Sequence, residues 1–110
     1  MKHIYGTPTR VAASTLVYTG KGVLFSMLVG VDGANDPTIS IHDAVNGDTA
    51  TNEIVPQSIY DASVLGINGV VFNFAKQFTT GLYVKIANIG TGSVVVDWRK
   101  FDELPADTFV

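Results

Sequence analysis

Few residues in this chain are of types that could do chemistry. There are two histidines, His3 and His42, ten Asp plus Glu, and no cysteine. Acyl transfer by a serine needs an adjacent base and a sharp turn that lifts the hydroxyl clear of the fold, and no serine here has the Gly-x-Ser-x-Gly frame that builds such a turn. His42-Asp43 is the only close pairing of a histidine with an acid. Neighbouring residues on a strand point to opposite faces, so these two do not make a dyad. His42 reads as a solvated or interface side chain, no catalytic residue is assigned, and the expectation is a protein that is not an enzyme.

Metal and ligand chemistry is equally thin. Asp32-Gly33-Ala34-Asn35-Asp36-Pro37 holds acids that could face a calcium ion, but it lacks the alternating Asp pattern and distant Glu of a calcium loop. Gly, Asn and Asp at these positions are turn chemistry, so the segment reads as a plain loop, with no metal and no cofactor expected. Tyr18, Tyr60, Tyr83 and Trp98 are of the type that stacks on a sugar ring. Trp98, however, alternates with Val96 and Val94 and so belongs to a buried face, where its indole N–H needs a partner.

The elements that would position these residues are short alternating apolar runs, each closed by glycine or asparagine, from Val11 to Trp98. That pattern is the mark of an all-β, single-domain antiparallel β-sandwich. Residues 1–10 read as an N-terminal arm broken by Gly6 and Pro8, residues 11–99 as the sandwich, and residues 100–110 as a C-terminal arm. A first strand over 11–18 turns through Thr19-Gly20-Lys21-Gly22 into a second over 23–31, which reads as a hairpin. In that second strand Val23, Phe25, Met27, Val29 and Val31 share one face and Leu24, Ser26, Leu28 and Gly30 the other.

A third strand over 38–44 points Ile39 and Ile41 inward and Ser40 and His42 outward, and the Asn46-Gly47 step predicts a tight hairpin to residues 49–54. Pro56 should limit that strand, since proline cannot donate to a ladder. Residues 57–68 read as irregular. Strands centred on Phe72, on Leu82 to Ile86 and on Val94 to Trp98 complete the set, with Phe78-Thr79-Thr80-Gly81 and Asn88-Ile89-Gly90-Thr91-Gly92 as connections.

With 46% hydrophobic and 15% charged residues, the chain is sparing of charge for a domain whose whole surface faces water. Both faces of the second strand are apolar, so Leu24 and Leu28 are assigned to a subunit interface. A net charge of -3 supplies no basic patch for a phosphate backbone, and nucleic acid is not expected as a partner. No apolar run approaches the roughly 18 residues of a membrane span, and the first residues lack the apolar centre of a signal peptide, so assembly in a cytoplasm is expected. Phe101, Leu104, Phe109 and Val110 give the C-terminal arm anchors that a solvated tail would not need. Burying each stabilises by about 1.5–3 kcal/mol, against about 1–2 kcal/mol per residue for ordering the chain, so these four are assigned to an interface with a neighbour.

In their order along the chain, Thr19-Gly20-Lys21-Gly22-Val23-Leu24, Ile41-His42-Asp43, Phe72, Gly81-Leu82-Tyr83-Val84 and the closing run from Val94 to Arg99 resemble small bacteriophage virion proteins of the head-decoration or capsid-associated type. The resemblance covers residues 11–99. It implies a jelly-roll-like sandwich without enzymatic activity, located in the virion and partnered by copies of itself, as a trimer, and by the major capsid protein. A tail- or neck-associated adaptor and a carbohydrate-binding host-recognition module are the alternatives it leaves open.

Overall fold

The computed structural model describes residues 7–46, 52–61 and 70–101. It is all-β, with eight strands: β1 (Thr7–Val11), β2 (Thr15–Thr19), β3 (Gly22–Gly30), β4 (Thr38–His42), β5 (Glu53–Ile59), β6 (Val70–Phe78), β7 (Gly81–Ala87) and β8 (Ser93–Lys100). Two four-stranded antiparallel sheets face each other, the first in the order β1-β8-β3-β6 and the second in the order β2-β7-β4-β5. Each strand pairs with the one equally far from the other end of the chain: β1 with β8, β2 with β7, β3 with β6 and β4 with β5. The chain is thus one long hairpin rolled up on itself, closed by β3 against β8 and β4 against β7, which is the jelly-roll form of the sandwich.

Between the sheets lies one apolar core. Leu24, Met27, Val29, Phe78, Val94, Val96 and Trp98 come from the first sheet, and Ile39, Ile41, Leu82 and Val84 from the second. Alternation on β8 turns Val94, Val96 and Trp98 inward, and the Trp98 Nε1–H finds its acceptor in Thr9 Oγ1 at 2.9 Å. Tyr18 covers the Trp98 ring at a centroid distance of 4.9 Å. Gly22 is required where the first sheet closes, because a Cβ there would overlap the Phe78 ring and the Arg99 carbonyl.

Several expectations change. Residues 7–10 are not an arm: they form most of β1, laid along β8 from Thr7 opposite Trp98 to Val11 opposite Val94. The Thr19 to Gly22 turn does not close a hairpin, because β2 and β3 belong to different sheets. It is an arch, with Gly20 at φ 133 and its N–H donated to Thr80 O at 3.0 Å across to the neighbouring arch. A turn signal states that the chain reverses, not that the two strands pair.

The faces of β3 change as well. Leu24 lies opposite Trp98 and Ser26 opposite Asp97, which leaves Phe25 as an extra residue in the ladder. This bulge flips the alternation, so Leu24 enters the core beside Met27 and Val29 while Phe25 is only half-buried. β4 and β5 pair antiparallel, but β5 runs from Glu53 through Pro56 to Ile59 and not over 49–54, and residues 47–51, with most of the expected tight turn, lie outside the described residues. β5 is an edge strand, and its register skips from Val55 to Ser58, so Pro56 falls at an interruption of the ladder where its missing N–H is not called on. Phe78, expected in a connection, ends β6 in the core.

Two variants test this packing in denaturant titrations of the full chain. Leu24→Ala should lower the unfolding free energy by about 2–5 kcal/mol, as a core truncation does. Thr9→Val, which removes the acceptor of the Trp98 indole, should cost about 1–3 kcal/mol. A Leu24→Ala effect within about 0.5 kcal/mol of zero, the range of surface positions, would return Leu24 to an exposed face.

Candidate functional site

The acids singled out by the sequence turn out to fasten loops. Asp43 follows β4, where its Oδ1 accepts the N–H groups of Thr80 at 2.7 Å and Gly81 at 3.2 Å, and its Oδ2 the Thr79 hydroxyl at 3.1 Å. The Thr79 N–H lies 3.0 Å from both oxygens. Burial opposes the charged form, but the donors at Thr79, Thr80 and Gly81 outweigh it, and the Asp43 carboxyl titrates below its ordinary range. At the opposite end, Asp32 Oδ1 accepts Asn35 N–H at 2.8 Å and Ala34 N–H at 2.9 Å, while Oδ2 takes Asn35 Nδ2 at 2.7 Å and Thr91 N–H at 3.1 Å. These donors, Asn35 N–H foremost, hold the Asp32 carboxyl far below the usual carboxylate range. Gly90 at φ 60 lets the β7–β8 loop come against Asp32 and Asn35, where a Cβ would collide with both side chains.

His42 and Asp43 do face apart. His42 instead meets Ser40, two residues back on the same face of β4, with Nε2 and Oγ 2.8 Å apart. Each residue is only 2% exposed, so of the two expected settings for His42, solvated or at an interface, the solvated one does not hold. The pair sits on the outer face of the second sheet, beside Tyr83 and Lys85 of β7. Among the described residues no group of three or more His, Cys, Asp and Glu side chains gathers in a way that could hold a metal ion.

The assigned interface residues separate. Leu24 is in the core, whereas Leu28 is 39% exposed on the outer face of the first sheet. Phe101 is 41% exposed just past β8, its N–H donated to Lys21 O at 3.0 Å. Leu104, Phe109 and Val110 lie outside the described residues. Sequence reasoning missed the neighbours that turn Leu28 into a patch. On β6, Val71 stands directly opposite it and is 55% exposed, and on β8 the half-buried Val95 stands opposite on the other side. The signal was Val71 alternating with Val70 and Phe72, but only the register aligns it with Leu28.

A second apolar feature opens between the edge strands β5 and β6. A cleft of about 280 Å³ is lined by Met27, Ile54, Val55, Pro56, Tyr60, Phe72 and Lys76, among others. Phe72 and Tyr60 meet edge to face across it at 5.9 Å.

No protein-family model, curated protein or solved structure matches the chain.

The two aspartates set the acid response. A carboxyl whose folded pKa is depressed contributes stability that is present above its unfolded value, 3.8 here, and lost as pH falls through the folded value. Stability should therefore be flat from neutral to about pH 5 and decline below about pH 4. Asp43→Asn should lower it by about 1–2 kcal/mol at pH 7, allowing for partial solvent screening, and should flatten that decline. Denaturant midpoints measured from pH 7 to pH 2 read both effects, and an unchanged acid slope in the variant would remove Asp43 as its source.

Proposed function

We propose that this chain is a non-enzymatic structural subunit of a bacteriophage particle, a capsid-associated protein of the decoration type that acts as a homo-oligomer. The observation that carries this reading is the aligned row Val71, Leu28 and Val95, which crosses three adjacent strands on the outer face of the first sheet. A row of this kind is costly to leave in water and stabilising to cover. Its occupant is a second copy of the chain. The same face carries Arg10, opposite Val95, and Asp97, opposite Ser26, so a rotated copy can set cation against anion around a shared apolar centre.

The rolled eight-stranded form is common among viral capsid domains, and lectins use it too. Between those, the apolar row favours assembly over sugar binding as the main role. The attribution to phage rests on the ordered motifs from Thr19 to Arg99, and so do the trimeric state and the capsid protein as partner. Phe101, at the end of β8, is the exposed start of the segment through which contact with the particle is expected.

Light scattering of the full chain, followed by mixing with capsids that lack it, tests the reading. An oligomer in solution and saturable uptake by the particle are expected. Leu28→Asp should shift the chain to monomer while leaving the thermal transition in place, since that side chain lies outside the core. A monomeric parent protein that ignores the particle would overturn the proposal.

A further inference from the structure

The Ser40 and His42 pair carries a consequence for the surface above it. His42 Nδ1 is buried and has no hydrogen-bond partner among the described residues, while Nε2 faces Ser40 Oγ at 2.8 Å. A buried N–H without an acceptor is rarer and costlier than a buried lone pair without a donor. The arrangement that avoids an orphaned N–H puts a single ring proton on Nε2, donated to Ser40 Oγ. The Ser40 hydroxyl proton is then left to point elsewhere.

Ser40 opens onto a cavity of about 250 Å³ whose other lining residues are Thr38, Gln57, Lys85 and Ala87. Lys85 stands directly opposite Ser40 in the ladder, and no ion pair engages it among the described residues. Glu53, on the adjoining edge strand, has Oε2 committed to the Gln57 N–H at 2.9 Å. The residues that border the cavity are therefore polar for the most part: Ser40, fixed from behind by His42, with Thr38, Gln57 and Lys85. Tyr83 lies opposite His42, one row along on the same face.

We propose that this outer face of the second sheet binds a small carboxylate, either a simple organic acid or the carboxylate of an acidic sugar. Lys85 supplies the charge, and the Ser40 hydroxyl and the Gln57 amide donate to the carboxylate oxygens. The site lies on the sheet opposite the apolar row, so it stands or falls separately from the assembly role.

Two-dimensional NMR titration of the folded chain tests it, with sodium glucuronate, sodium acetate and glucose as probes at constant ionic strength. Saturable shifts of the Ser40, Gln57 and Lys85 amides with glucuronate are expected. Lys85→Ala should weaken binding at least tenfold and Ser40→Ala several-fold, while Lys21→Ala, which removes the same charge elsewhere, should not. Saturation by acetate as well as glucuronate supports the site and assigns it to simple acids, and saturation by glucuronate alone assigns it to an acidic sugar. Glucose binding as well as glucuronate, no saturable shift with either acid, or an unchanged affinity in Lys85→Ala would overturn the proposal.

Discussion

Among the described strands, six of the seven consecutive pairs lie in different sheets, and the arches described between them take backbone N–H groups out of the ladders. Those groups must find acceptors or stay in water. Asp43 answers this at one end of the sandwich by taking the amides of Thr79, Thr80 and Gly81, and Asp32 at the other by taking those of Ala34, Asn35 and Thr91. Each carboxylate ties a strand end to a loop far away in sequence. The register of the two sheets, and with it every surface described above, depends on those loops closing where they do.

Inside that frame the bulge at Phe25 decides what is core and what is surface. Without it, Leu24 would share a face with Leu28, and neither the packing against Trp98 nor the row with Val71 and Val95 would exist in its present form. One extra residue in one strand thus serves both stability and the exposed apolar face. The same economy holds on β4, whose inward Ile39 and Ile41 build the core while its outward Ser40 and His42 form a buried polar pair.

The two outer faces of the sandwich are chemically unlike. The first sheet presents apolar side chains bordered by charges of both signs, suited to a protein surface of matching shape. The second has a cavity bordered by Thr38, Ser40, Gln57 and Lys85 beside the buried His42.

Much of the architecture was legible in the residues themselves. Period-two alternation with glycine and asparagine punctuation made the chain an all-β sandwich, Val94, Val96 and Trp98 declared a buried face, and adjacency alone kept His42 from Asp43. These are local properties, set by the geometry of the extended backbone. What tertiary structure alone decided was partnership: that β2 and β3 arch between sheets instead of pairing, that a bulge sends Leu24 inward, that β1 begins at Thr7, and that Val71 lies beside Leu28 and Lys85 beside Ser40. Pairing joins residues dozens of positions apart, and the free energy that selects it comes from the closed core and the satisfied loops together, which no local window of sequence contains.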